Sequence, residues 1–217
     1  MKMMQIMSIM ATAVMAIGSC SAPEVIPSVK DEEHEVKLEE NMPDSKPDPS
    51  EGKTLVIFYS YTGNTREIVA DLQKQINCDV VEIIPEGTYD YNANNYKIGA
   101  DQINAINANP GQASSYPAIK ETKIDIEQYG TVIIATPLWH ARMASNTQAL
   151  LFQYGKQMSG KIIGLIVSSH SSGISGVESD AKRLVPDGKF TKSLWINASN
   201  HSNRTALIKN WLTEIAL

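Results

Sequence analysis

Short apolar runs alternate with amphipathic segments from residue 54 to the carboxyl end of the chain. The apolar runs, rich in Val, Ile and Leu, predict five strands at residues 55–60, 79–84, 131–135, 161–168 and 192–196. The segments with helical spacing predict helices at 64–77, 96–108, 145–154, 176–184 and 204–216. Buried strands that alternate with helices indicate an α/β fold, a doubly wound parallel sheet with helices on both faces.

Ligands of such sheets bind beyond the carboxyl ends of the strands. Three segments of this chain follow strands on that edge, at residues 60–65, 136–143 and 168–175. They contain the chain's unusual combinations of hydroxyl, glycine, aromatic and imidazole side chains. We therefore predict that these three segments form one site.

The first segment has the residue types of a phosphate-binding loop. Ser60, Thr62 and Thr65 offer hydroxyl groups, Gly63 lets backbone amides turn toward an anion, and a helix begins at once. Neither the Walker pattern nor the dinucleotide glycine pattern is present, and an ordinary capped βα turn is the alternative. The candidate residues are Ser60, Tyr61, Thr62, Gly63, Asn64 and Thr65.

The other two segments suit a flat, polar-edged ligand. Trp139, a large aromatic residue close after a strand, is well placed to pack on a planar ring, and residues 168–176 can bring backbone amides to its polar edge. A core tryptophan and a mobile capped turn are the alternatives. The candidate residues are Pro137, Leu138, Trp139, His140, Ala141 and Met143 in the second segment and Ser169, His170 and Gly173 in the third.

All three segments resemble loops of the flavodoxin family. Residues 60–65 match the family's phosphate loop, Ser/Thr-x-Thr-Gly-x-Thr, at its defining positions. Residues 137–139 match the start of the Pro-Ile/Leu-Trp-Trp-Gly loop of one branch, and residues 168–176 are similar to that branch's Thr-His-Gly-Gly-Ser/Thr-Gly loop. The resemblance implies a flavodoxin-like domain at residues 54–217, strand order 2-1-3-4-5, and non-covalently bound FMN at the candidate residues.

Two positions depart from the branch's second loop. His140 replaces the second Trp, and Ala141 replaces a glycine that can adopt positive φ beside reduced flavin. Alanine disfavours that conformation, so we expect Ala141 to resist it. His140 would contact the ring or face solvent, and Arg142 would oppose the charge of reduced flavin or face solvent.

The amino-terminal residues predict export and a lipid anchor. Lys2 precedes an apolar, Met-rich run at residues 3–17, which is typical of a signal peptide and short for a membrane span. Residues 17–20, Ile-Gly-Ser-Cys, resemble the bacterial lipobox, which implies a cleaved signal peptide at 1–19 and a lipid on Cys20. A plain signal peptide is the alternative. Residues 20–53, rich in Pro, Glu, Asp and Lys, predict a disordered acidic tether.

Composition limits the classes of partner and the covalent links that we expect for this chain. The net charge is −5 and no basic stripe appears, so we expect no nucleic acid partner. Cys78 would be the sole thiol left after lipidation of Cys20, which excludes an intramolecular disulfide, and we expect it to be a small core residue. The predicted location is the cell envelope, lipid-anchored outside the cytoplasmic membrane, and the outer membrane is favoured because Ser21, not Asp, follows the lipobox cysteine.

Three functions follow from these patterns. The first is an electron carrier that exchanges electrons with redox proteins or small acceptors. The second is an FMN-dependent NAD(P)H:quinone-type reductase, in which residues 85–128 wall a substrate pocket with Tyr89, Tyr91 and Tyr96. The third is a surface binding protein that has lost the flavin, because His140 and Ala141 depart from the family pattern. No catalytic acid/base pair and no metal site is predicted.

Overall fold

A computed structural model describes residues 52–94 and 96–217. The predicted signal peptide, Cys20 and the tether up to residue 51 lie outside the described residues. In the part that is described, no helix has both the length and the apolar character that crossing a membrane requires.

The described elements alternate along the chain. The strands are β1 (Thr54–Phe58), β2 (Asp79–Glu82), β3 (Thr131–Trp139), β4 (Arg142–Met143), β5 (Ile162–Ser169), β6 (Lys189–Phe190) and β7 (Leu194–Asn197). The helices are α1 (Asn64–Gln73), α2 (Lys97–Ala108), α3 (Ser145–Tyr154), α4 (Ser175–Leu184) and α5 (Arg204–Glu214). Short 3-10 turns occur at Ala113–Ser115, Ile126–Gln128, Gly155–Met158 and His201–Asn203.

The strands form a parallel sheet in the order β2-β1-β3-β5, and β6 and β7 both pair with β5 at its other side. Register places Val56 beside Ile133, and Ile133 beside Gly164. β6 pairs with the start of β5 and β7 with its end, so together they occupy the position of the fifth strand. The predicted order 2-1-3-4-5 is therefore confirmed.

The predicted count of five strands needs correction. The fifth strand is interrupted at residues 191–193, and β4 is an additional two-residue strand antiparallel to the end of β3. β3 itself runs to Trp139, four residues past its predicted end, so the first half of the predicted second loop is strand. The two halves of the fifth strand are each too short to show a periodicity, and β4 is shorter still.

Apolar residues on β1 point alternately to the two faces of the sheet, as a strand covered on both sides requires. Leu55 and Ile57 belong to the core beneath α3 and α4, which also contains Leu150 and Val177. Val56 and Phe58 belong to the opposite core, beneath α1 and α5. Cys78 is half-buried against this second core, as expected of a small core residue, and burial raises the pKa of its thiol.

Candidate functional site

Two adjoining cavities lie at the carboxyl edge of the sheet. The first has a volume of about 380 Å³ and is lined by Thr62, Asn64, Pro137, Leu138, Trp139, Ser168, Ser169, His170, Ile196, Asn197, Ala198 and His201. The second, of about 450 Å³, is lined by Tyr61, Thr62, Tyr91, Asn92, Tyr96, Gly99, Leu138, Trp139, His140 and His170. Residues common to both join them into one site, and all three predicted segments contribute. The volumes are typical of small-molecule sites.

The start of α1 forms the floor of an anion site. Gly63, the residue before the helix, has φ 98° and no side chain that could cap the first amides, of which that of Arg66 is capped by Ser60 Oγ. A β-carbon there would meet no atom within 4 Å, so the space in front of the helix is open. The first amides of a helix lack intrahelical acceptors and carry the positive end of its dipole. This end of α1 can therefore bind an anion such as a phosphate.

The three predicted hydroxyl residues divide into two roles. Ser60 is buried, and its Oγ accepts a hydrogen bond from the Arg66 amide at 3.2 Å. Thr65 is also buried, and its Oγ1 lies 2.7 Å from the Ser168 Oγ, in a hydrogen bond that joins the first segment to the third. Thr62 lines both cavities. Ser60 and Thr65 therefore shape the loop, and the Thr62 hydroxyl is placed to meet a ligand.

A two-residue turn between β3 and β4 carries His140 and Ala141. Trp139 pairs with Arg142 across this hairpin, and both turn residues have positive φ, 48° and 60°. Two positive φ values in a two-residue loop are the signature of a type I′ turn, whose twist matches that of paired strands. Ala141 therefore adopts the conformation that alanine disfavours, because closure of the hairpin imposes it.

Asp180 of α4 anchors the hairpin. Its buried carboxylate accepts hydrogen bonds from Arg142 Nη2 at 2.5 Å and from the Met143 amide at 3.1 Å. Gly176 lies so close that a β-carbon there would be 1.9 Å from the Ala141 carbonyl oxygen. Arg142 is therefore paired with Asp180, is partly exposed to solvent, and lines neither cavity, so its predicted role opposite reduced flavin has no support in the geometry.

Met143, a predicted ligand contact, is fully buried in the core and lines neither cavity. The side chains of successive strand residues point to opposite faces, and Met143 lies on the inward face of β4. Ala141 and Gly173 are exposed and also line neither cavity, and Gly63 contributes its backbone.

Aromatic rings form the wall of the second cavity. The Trp139 and Tyr91 ring centroids are 4.6 Å apart, and Tyr61 packs edge-on against Tyr91 at 5.2 Å. Tyr59 packs edge-on beneath Trp139 at 5.5 Å, and burial raises the pKa values of Tyr59 and Tyr91 above the ordinary range of a phenol. The phenols are thus neutral, and the wall offers a flat ligand a largely apolar surface.

The third segment supplies Ser169 and His170. Ser169 Oγ accepts a hydrogen bond from Trp195 Nε1 at 2.8 Å. The same hydroxyl donates a hydrogen bond to the Ser172 carbonyl oxygen at 3.2 Å. His170 lines both cavities, and its carbonyl oxygen accepts the Ala198 amide at 3.1 Å. His140 is exposed and also lines the second cavity, so contact with a bound ring stays a prediction.

Several lining residues were not predicted from the sequence. In the second cavity, Asn92 precedes α2 and Gly99 lies within it. In the first cavity, Asn197 ends β7, and Ala198 and His201 follow it. His201 Nε2 lies 3.9 Å from Oε2 of Glu67, a residue of α1. The sequence signal that could have found it is topological, since α1 and α5 cover the same face of such a sheet.

The site fits a ligand that combines a phosphate with a flat ring system. The anion end is the start of α1 with the Thr62 hydroxyl, and the ring end is the aromatic cavity with the imidazoles of His140 and His170. Among the described residues that line the cavities, none is lysine or arginine, so amides and neutral donors meet the anion. FMN, the cofactor implied by the sequence resemblance, has this combination.

Comparisons with known proteins agree with the geometry. The flavodoxin family model matches residues 53–215 of the chain. The crystal structure of a candidate flavoprotein from Bacteroides eggerthii is 25% identical, with a TM-score of 0.61, over 76% of this chain and 98% of that chain. A flavoprotein in complex with FMN from Lactobacillus acidophilus is 21% identical, with a TM-score of 0.57, over 73% of this chain and 97% of that chain. No protein with a curated description matches.

Proposed function

Because this chain belongs to the flavodoxin family, with FMN as its cofactor, we propose that it is an electron carrier. The observation that carries the proposal is the convergence of three strand-end segments on two joined cavities, one with an anion end and one with an aromatic wall. The partners would be redox proteins or small electron acceptors. Bound FMN would supply the redox chemistry, which no protein side chain of the site provides.

The chain's own residues would bind and orient the cofactor. The first amides of α1 and the Thr62 hydroxyl would hold the phosphate, and Trp139 would pack against the ring. Pro137 and Leu138, on the same strand end, would exclude water between these two regions. His140 and His170 would donate hydrogen bonds to the polar edge of the ring, which is how a protein tunes a flavin's potential.

Titration of the purified protein with FMN tests this function, followed by flavin fluorescence and the visible spectrum. We expect stoichiometric quenching, and reversible reduction and reoxidation of the complex in a potentiometric titration. A folded protein that neither quenches nor retains FMN would contradict the proposal and would favour the flavin-free binding protein. A complex that binds FMN and is not reversibly reduced would contradict the electron carrier.

Trp139 offers a variant for the same titration. Trp139→Leu removes the ring that we place against the flavin, and base–aromatic stacking of comparable rings contributes about 1–3 kcal/mol. We expect about tenfold weaker binding of FMN and of riboflavin alike. Phe190→Leu, a half-buried aromatic residue of β6 that lines neither cavity, is the matched control and should bind both flavins as the wild type does.

A second candidate is an FMN-dependent reductase of quinone-like acceptors. It is favoured by the outer wall of the second cavity, to which residues 85–128 contribute Tyr91, Tyr96 and Gly99. In this reaction NAD(P)H is oxidised and the quinone takes up two electrons and two protons, one of them from solvent. Tyr96, 56% exposed at this wall, would contact the acceptor, so Tyr96→Ala should raise the quinone KM. No NAD(P)H oxidation in the presence of a quinone would exclude this candidate.

We also propose that the mature chain is anchored in the cell envelope by a lipid on Cys20, followed by a tether to residue 53. The support is sequence alone: the apolar run, the lipobox-like residues 17–20 and the charged, proline-rich segment after them. Cys20→Ser should move the protein from the membrane fraction to the soluble fraction, and mass spectrometry should detect acyl chains on the wild-type protein only. If Cys20 carried no acyl chain, the lipid anchor would be contradicted and a plain signal peptide would be the remaining interpretation.

A further inference from the structure

Asn146 is a buried polar residue behind the aromatic wall, and the proposed function leaves it without a role. It is the second residue of α3 and is fully buried, and its Nδ2 donates a hydrogen bond to the Tyr91 hydroxyl at 3.0 Å. Its Oδ1 is also shielded from solvent and has no hydrogen-bond partner among the described residues. A buried amide that satisfies only part of its hydrogen-bonding capacity costs free energy, so packing alone would favour an apolar side chain here.

The ring of Tyr91 depends on this hydrogen bond for its position. Tyr91 lies between β2 and α2, outside the helices and strands, and yet it is only 4% exposed. Its ring contacts that of Trp139, with the centroids 4.6 Å apart and the planes at 44°, and it lines the aromatic cavity. The bond from Asn146 therefore holds the hydroxyl end of a ring that forms part of the cavity wall.

The same amide reaches a second ring that packs against Trp139. Tyr59 lies edge-on to Trp139, with the ring centroids 5.5 Å apart. Burial raises the pKa of Tyr59, and the Asn146 amide lies close enough to that phenol to offset part of the rise. Asn146 itself lines neither cavity, so any effect that it has on a ligand must pass through these rings.

We propose that Asn146 is a positioning residue of the flavin site: its hydrogen bond holds the Tyr91 ring at a fixed angle to Trp139 and thereby keeps the aromatic cavity in the shape that accepts the flavin ring. The inference rests on the proposed function, since it concerns the cavity in which we place that ring. It predicts an effect on the ring end of the ligand and none on the phosphate end. FMN and riboflavin, which share the ring and differ in the phosphate, should therefore respond alike.

Two variants remove the same hydrogen bond from opposite sides. Asn146→Leu keeps a side chain of similar size, and Tyr91→Phe keeps the aromatic ring and lacks only the hydroxyl. Each should bind FMN and riboflavin about two- to tenfold more weakly than the wild type, the range that corresponds to one net hydrogen bond. The visible circular dichroism of the bound flavin should change as well, because it reports the surroundings of the ring, which a loss of stability alone would leave unaltered. If Asn146→Leu does not fold, Tyr91→Phe still tests the bond.

The double variant Asn146→Leu/Tyr91→Phe separates positioning from stability. Both partners of the bond are then apolar, so the urea midpoint of unfolding should return toward that of the wild type. Flavin affinity should stay reduced by the factor seen in a single variant, because the two substitutions remove one and the same interaction.

Two control variants lose a buried hydrogen bond that does not involve the aromatic wall. Thr147→Val, at the next residue of α3, removes a hydroxyl that lies 2.9 Å from the Thr136 hydroxyl. Tyr129→Phe removes a buried phenol that donates to Asp79 at 2.8 Å. Neither substituted residue lines a cavity. Both variants should be less stable than the wild type and should bind FMN and riboflavin with unchanged affinity and dichroism.

The possible failures are distinct. A wild type that does not bind FMN overturns the proposed function. A wild type that binds FMN while Tyr91→Phe keeps its affinity and its dichroism overturns the inference alone. Additive losses in the double variant also overturn it, because the two side chains would then act separately. A loss confined to FMN, with riboflavin binding unchanged, would overturn it too, since the effect would lie at the phosphate.

Discussion

His140 and Ala141 hold left-handed backbone conformations that residues with a β-carbon adopt at a cost of about 1–2 kcal/mol each. Natural type I′ turns usually place Asn or Gly at these positions. His140 lines the aromatic cavity, so the strained residue lies where a ligand can contact its side chain and backbone. Strain that persists beside a cavity is consistent with a functional constraint on the turn.

Ala141→Gly should relieve this strain. We expect the free energy of unfolding to rise by about 1 kcal/mol, because glycine adopts positive φ without a steric penalty. Urea unfolding measures the change. The control is Ala113→Gly, at an exposed residue that does not have positive φ. Glycine at this position gives the unfolded chain more backbone freedom, so the free energy of unfolding should fall slightly. A destabilised Ala141→Gly would contradict the assignment of strain to this turn.

Tyr129 links stability to alkaline pH. It is buried and donates a hydrogen bond to Asp79 Oδ2 at 2.8 Å, and burial together with that carboxylate raises its pKa to about 12. A raised pKa stabilises the folded state fully below the pKa of the unfolded phenol, near 10, and this stabilisation disappears as the pH rises through 12. Tyr129→Phe should therefore lose less stability than the wild type between pH 10 and 12 in urea unfolding. Tyr96→Phe, at an exposed position, controls for the removal of a hydroxyl.

At the scale of elements, the hairpin of β3 and β4 depends on α4. Gly176 permits the close approach of α4 to the turn, and Asp180 fixes the strand that follows the turn. The hairpin carries Trp139 and His140 into the aromatic cavity. Displacement of α4 would therefore change both stability and the cofactor site.

Gly176→Ala tests the close approach. Its β-carbon would lie 1.9 Å from the Ala141 carbonyl oxygen, so backbone must shift, and we expect a loss of about 2 kcal/mol or more in unfolding free energy and weaker FMN binding. Gly173→Ala is the matched control from the same segment, because its β-carbon would meet no atom within 4 Å. If both variants behaved alike, the contact between α4 and the turn would have no energetic importance.

Asp180→Asn tests the anchor. The carboxylate is fully buried and lies 2.5 Å from Arg142 and 3.2 Å from Arg183, so its neutralisation leaves two guanidinium groups without their counter-charge. We expect about 3 kcal/mol less stability in urea unfolding. Asp101→Asn breaks an exposed pair with Lys97 and should change stability by less than about 0.5 kcal/mol. A similarly small effect at Asp180 would show that the hairpin is held by packing alone.

Elements with several turns or a long apolar run could be predicted from the sequence, and shorter ones could not. The helix at 145–154 has its predicted bounds, and β5 lies within one residue of its predicted position. β4 could not be predicted, because two residues carry no periodicity and His-Ala lacks the Asn-Gly signal of a hairpin turn. Met143 was assigned to the site on loop composition; its inward direction depends on the β4 pairing.

The whole molecule should respond to FMN as one cooperative unit. At an FMN concentration one hundred times the dissociation constant, binding to the folded state alone would add about 2.7 kcal/mol to the free energy of unfolding. Thermal unfolding with increasing FMN measures this shift. Amide hydrogen exchange should slow locally at residues 62–65, 137–140 and 168–170, whereas β2, which lines neither of the two cavities, should change little. Uniform protection would indicate global stabilisation without a defined site.

The division of the fifth strand has a consequence for crowded solutions. A sheet edge with unpaired amides and carbonyls can template pairing with another copy of the chain. Here one edge is broken into strands of two and four residues, and the other, β2, has four residues with an acidic side chain at each end. Neither edge presents a long uninterrupted ribbon to a neighbour. Copies of this protein held close together should therefore remain separate rather than join their sheets into aggregates.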